Sequence, residues 1–99
     1  MRYYSQMIVS FKDKDTKMLA DGYRVAAFVP FENVARRKLR QLEIAGALSD
    51  LRVPPGNRLE ALQGNRAGQH SIRINDQYRI CFVWTSAGAE DVEIVDYHH

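Results

Sequence analysis

Two alternating runs restrict the fold of this chain more than anything else in it: Ser71-Ile72-Arg73-Ile74 and Tyr78-Arg79-Ile80-Cys81-Phe82-Val83-Trp84-Thr85. Residues two apart on a strand share a face. Ile72 and Ile74 therefore form one apolar row, and Tyr78, Ile80, Phe82 and Trp84 another. Both rows are buried together if Asn75-Asp76-Gln77 forms the loop of a hairpin, which sets Ile74 against Tyr78, Ile72 against Ile80 and Arg73 against Arg79. A shorter loop at Asp76-Gln77 would set Ile74 against Arg79 instead. Asn75 and Asp76 tolerate the left-handed conformation that such loops often use. The favoured register opposes two arginines on the other face, which costs on the order of a few tenths of a kcal/mol. A phosphate between them, or side chains splayed into water, relieves the repulsion; the pattern favours the phosphate.

The flanking segments give the element order. Gln6 to Phe11 reads as a first strand. Asp13 or Asp15 caps a helix through Thr16 to Ala20 that stops at Gly22. Residues 23–30 show no clear periodicity, and Pro30 stands where a second helix would begin. That helix carries Ala35, Leu39, Leu42 and Ala45 as its apolar stripe and stops at Gly46. Ala47 to Leu51 adds a short helical turn, and Val53-Pro54-Pro55-Gly56-Asn57 breaks regular structure. Leu59 to Leu62 is a short strand; His70 to Ile74, Tyr78 to Thr85 and Val92 to Tyr97 are stronger ones. Strands in consecutive runs predict an α+β fold, an antiparallel sheet with the helices on one face, in a single domain over residues 1–99.

Charge and chemistry-bearing residues narrow the function. Net charge is only +2, yet residues 51–89 hold five arginines, no lysine and only Glu60 and Asp76 as acids. Arginine grips phosphate bidentately and stacks on bases, so a local arginine cluster suggests a nucleic-acid site. Arg36, Arg37, Lys38 and Arg40 form a second basic group, either a grip for RNA backbone or the wet face of a helix. Gly64-Asn65-Arg66-Ala67-Gly68 lacks the pattern of a nucleotide-binding loop and reads as a tight loop presenting Arg66. Glu60 is a candidate base, and His70 reads as an exposed strand residue. His70, His98 and Cys81 have no metal-ligand spacing, so neither a zinc site nor another cofactor is expected. A lone cysteine cannot close an internal disulfide, which points to a reducing cytoplasm and to a packing role for Cys81. No apolar stretch approaches the about 20 residues of a membrane span, and Met7-Ile8-Val9 is too short for a signal peptide. At the C-terminal end, Asp96-Tyr97-His98 combines an orienting carboxylate, a stacking ring and an imidazole that titrates near neutral pH. His99 reads equally as a tag remnant.

The run Leu59-Glu60-Ala61-Leu62-Gln63-Gly64-Asn65-Arg66-Ala67-Gly68, then His70-Ser71-Ile72-Arg73, Tyr78-Arg79-Ile80-Cys81-Phe82 and the Asp96-Tyr97-His98 ending together resemble the HigB toxins of the RelE/ParE superfamily. The Pro54-Pro55-Gly56-Asn57-Arg58-Leu59 stretch and the helix at 31–45 resemble the GraT branch, and residues 1–30 match least well. The resemblance implies a RelE-like fold and a metal-independent, ribosome-dependent mRNA endonuclease acting in the ribosomal A site. It implies phosphate stabilisation by Arg79 and Arg73 with Arg66 assisting, proton transfer and orientation by His98 and Asp96, and base or ribose contact by Tyr97. It further implies a HigA-like helix-turn-helix antitoxin, through which alone the toxin would reach operator DNA. Better-known members carry histidine, lysine and arginine where this chain has Glu60, Gln63 and Asn75, so attenuated cleavage is expected. An inhibitor of a protein target such as DNA gyrase, as in ParE-like relatives, and a non-cleaving RNA- or ribosome-binding protein are the competing readings.

Overall fold

The computed structural model describes residues 8–97. Helix α1 (Lys14–Ala20) begins where the Asp13 carboxylate accepts a hydrogen bond from the Thr16 amide at 3.0 Å. It ends at Gly22, whose φ of 101° lets the Tyr23 amide turn back to the Met18 carbonyl at 2.9 Å. Residues expected to lack order in their pattern instead form a 3-10 turn, Ala26–Phe31, which buries Phe28 and Phe31. Pro30 lies within that turn, and helix α2 begins two residues later, spanning Glu32–Ile44. Its stripe of Ala35, Leu39 and Leu42 is buried as the 3.6-residue period requires.

Four strands follow: β1 (Glu60–Ala61), β2 (His70–Arg73), β3 (Tyr78–Thr85) and β4 (Gly88–Asp96), all antiparallel and in chain order across the sheet. The β2–β3 register sets Ile72 opposite Ile80 and Arg73 opposite Arg79, as the three-residue loop requires. That loop closes differently from expectation. No residue of it has positive φ; the Asn75 carboxamide oxygen instead accepts from the Gln77 and Tyr78 amides at 2.9 and 2.7 Å. One face of the sheet, carrying Ile72, Ile80, Phe82, Val92 and Ile94, packs on the helices to form the core.

Two features were not legible beforehand. Strand β4 starts four residues earlier than Val92, and it carries a bulge. Cys81 pairs with Glu93 while Val83 pairs with Glu90, so β4 holds one extra residue there, near Asp91 at φ 52°. The extra residue resets the alternation, so that Val92 and Ile94 face the core and Glu93 faces away with Cys81. The expected first strand, Gln6 to Phe11, lies partly outside the described residues. Its described part runs parallel to β4, with the Val9 and Lys12 amides donating to the Ala89 and Val92 carbonyls at 2.7 and 2.9 Å. Thr16 ties α1 to the same strand, its hydroxyl oxygen accepting from the Ile94 amide at 3.1 Å.

Candidate RNA-binding site

Across the sheet face opposite the helices, strand pairing aligns Glu60, Ser71, Cys81 and Glu93 in one transverse row. Ser71 and Cys81 are fully buried in its centre, although they stand on the face expected to be open. Arginines close over them. Arg79 Nε donates to Ser71 Oγ at 2.7 Å, and its terminal nitrogen Nη2 donates to the Arg58 carbonyl at 2.6 Å and lies 3.4 Å from Glu60 Oε1. Arg66 donates to Glu93 Oε2 and Gln69 Oε1, each at 3.0 Å. The Glu93 bond raises the Arg66 pKa beyond its already high value. Arg66 is thus folded back onto the sheet by its loop rather than simply presented to solvent.

Burial pushes the Cys81 thiol from 9.0 up to about 11. Its folded-state pKa is raised, so its contribution to stability is complete below pH 9.0 and is lost as pH climbs toward 11. At pH 8 the native thiol should react with an alkylating reagent roughly 100-fold more slowly than the same thiol in urea. Equal rates in a timed mass-spectrometric labelling experiment would contradict its burial.

Beside this row the opposed pair Arg73 and Arg79 opens a shallow cleft of about 340 Å³, lined by Arg58, Arg73, Asn75, Asp76, Arg79 and Tyr97. The repulsion between the two arginines is relieved by carboxylates in this structure: Arg73 pairs with Asp76, and Arg79 with Glu60. The Asp76 side chain is 98% exposed, so its pairing contributes little. Tyr97 reaches the cleft because its amide donates to the Gln77 carbonyl at 2.7 Å, continuing the β3–β4 edge. Asp96 accepts from Gln77 Nε2 at 3.0 Å. His98 lies outside the described residues.

The second basic group is elsewhere. Arg36, Arg37 and Arg40 line a separate cleft against Asp21 and Gly22 at the end of α1, and Arg36 donates to the Tyr23 carbonyl at 2.9 Å. Arg36 therefore fastens the segment after α1. Lys38 leaves that group and donates to Asn57 Oδ1; burial, then the fields of Arg37 and Arg73, lower its pKa. His70 is half-buried, not exposed, with its ring 6.3 Å from that of Phe82 and 25° from parallel. Arg58 and Lys38 are the cations near the cleft that sequence reasoning did not assign to it. The Pro54-Pro55-Gly56-Asn57 break marks a turn just before Arg58, but nothing in it announces the left-handed conformation there.

The family model described as the RelE-like toxin of type II toxin-antitoxin system HigB matches residues 9–98. The chain belongs to this HigB family. Toxin HigB-1 of Vibrio cholerae is 45% identical over 85 residues, covering 84% of this chain and 90% of that protein. An uncharacterised protein of Haemophilus influenzae is 32% identical over 79 residues, covering 80% of this chain and 69% of that protein. The α+β architecture of two helices and a four-stranded antiparallel sheet is the one expected of a RelE-like toxin. Membership gives this HigB-like toxin an antitoxin as its partner. Among the described residues no helix is long and apolar enough to cross a membrane.

Proposed function

We propose that this HigB-like toxin is a ribosome-dependent mRNA endonuclease that inhibits translation and growth in the cytoplasm. The observation that carries the reading is the convergence of Arg58, Arg73, Arg79 and Tyr97 on one cleft. Cleavage proceeds by attack of a ribose 2′-oxygen on the adjacent phosphorus while the bond to the 5′-oxygen breaks. The 2′-hydroxyl proton goes to a base, and the leaving 5′-oxygen receives a proton from an acid. The products are a 2′,3′-cyclic phosphate and a free 5′-hydroxyl. Arg79 and Arg73 stabilise charge gathering on the phosphate oxygens, Tyr97 stacks on a base or sugar, and His98 with Asp96 transfers and orients protons. A HigA-like helix-turn-helix antitoxin neutralises the toxin and carries the complex to operator DNA.

Cleavage is attenuated on this reading. Glu60 is already engaged with Arg79, Asn75 serves as the cap of the β2–β3 loop, and Gln63 brings no charge. Mapping of mRNA 5′ ends after induction is the test. New 5′-hydroxyl ends within translated codons are expected for the wild type, fewer for His98→Ala. Growth arrest without new ends would instead mark a toxin that blocks its target without cutting.

A further inference from the structure

We propose that Arg58 is a phosphate-binding residue of the cleft, held there by a left-handed backbone that the fold maintains for it. The inference rests on the RNA-binding reading of the same cleft. Arg58 has φ 47° and ψ 55°, immediately after the 3-10 turn Pro55–Asn57. Glycine and asparagine are the residues that take this conformation readily. Asparagine stands one position earlier, where it serves another purpose. Asn57 is fully buried; its Nδ2 donates to Gln41 Oε1 at 2.9 Å and to the Leu51 carbonyl at 3.0 Å, and its Oδ1 accepts from Lys38. Those bonds anchor the turn to α2, so the backbone at 58 is dictated by its surroundings, and a long cation occupies a site suited to glycine. Strain of this kind, maintained by a surrounding network, is a mark of functional positions.

The electrostatics point the same way. Arg73, Arg79 and Arg66 each have a carboxylate partner in Asp76, Glu60 and Glu93. Arg58 is exposed and has no ion pair among the described residues, yet it lines both the cleft and a second depression that it shares with Glu60 and Arg79. Its carbonyl accepts from Arg79 at 2.6 Å, so the Arg79 guanidinium is held against the backbone from which the Arg58 side chain springs. Arg58 is the uncommitted cation that meets the incoming phosphodiester, and Arg79 is the preorganised one.

The probe is a 2′-O-methylated RNA trinucleotide, which lacks the attacking hydroxyl and cannot be cut. Arg58→Gly should bind it at least tenfold more weakly, with the slope of log affinity against log salt shallower by about 0.7. Its melting temperature should match or exceed that of the wild type, because glycine accepts the left-handed conformation. Arg58→Lys should retain the wild-type salt slope. Unchanged affinity in Arg58→Gly, weaker affinity at an unchanged slope, or no binding by the wild type at low salt would each overturn the proposal. Cutting of ribosome-bound mRNA by the wild type is scored separately. Its absence sinks the nuclease reading while the trinucleotide result still decides the role of Arg58.

Discussion

Arg79→Ala is expected to lower mRNA cleavage by at least about 100-fold, the usual consequence of removing a preorganised donor from developing negative charge. It is also expected to destabilise the protein by about 2–4 kcal/mol. Ser71 Oγ loses its donor in buried surroundings and the Arg58 carbonyl in partly buried ones, and a buried orphan costs about 1–3 kcal/mol. Because one substitution does both, rate and stability need separate measurement. Cleavage of ribosome-bound mRNA should be normalised to folded protein, and urea denaturation should report the stability. Arg79→Lys separates the two roles. A lysine retains the charge but lacks the planar fork that serves Ser71, Glu60 and the Arg58 carbonyl together. It should recover part of the stability and little of the rate. Full cleavage by folded Arg79→Ala would remove this arginine from the chemistry.

Phe82→Ala should have the largest effect on stability. Phe82 is fully buried at the centre of the sheet, faces the helices and packs against His70. Truncating a buried phenylalanine costs about 3–5 kcal/mol through lost burial and the cavity left behind. Small domains have only about 5–15 kcal/mol in total, so the urea midpoint should fall sharply or the variant should fail to accumulate. It lies on the sheet face opposite Arg73 and Arg79, so toxin that remains folded should retain its RNA affinity. A loss below about 1 kcal/mol would mean that neighbouring side chains collapse into the space.

The parts of the fold readable from the sequence are those where a period and a burial demand coincide. The β2–β3 hairpin was legible because two isoleucine rows can be buried together in one register. Helix α2 was legible from Ala35, Leu39 and Leu42. The first half of β4 was hidden because its bulge breaks the two-residue period, and no local residue announces the extra position. The parallel pairing of residues 8–12 was hidden because its partner lies near the other end of the chain.

The candidate site divides along the same line. Arg73, Arg79 and Tyr97 came together because hairpin register and a strand end bring them there. Arg36, Arg37 and Arg40 separated from them because their helix turns that face toward α1. The commitment of Arg66 to Glu93 depends on which way the bulged strand points its glutamate, a tertiary fact. Arg58 stayed hidden because its position depends on a backbone angle set by the buried bonds of Asn57, a tertiary fact.

The pairing of the N-terminal segment with β4 also places the protein in time. The Asp91 amide donates to Ser10 Oγ across 81 positions of chain, and the Ile94 amide donates to Thr16 across 78. At about 5–20 residues per second of synthesis, Ser10 waits roughly 4–16 s before its partner exists. Until then α1 has no strand to dock on, and the sheet lacks the strand that supplies Glu93 and leads to Tyr97. The N-terminal segment therefore stays unpaired until β4 has been made, and closure of this edge is a late event in the life of the chain.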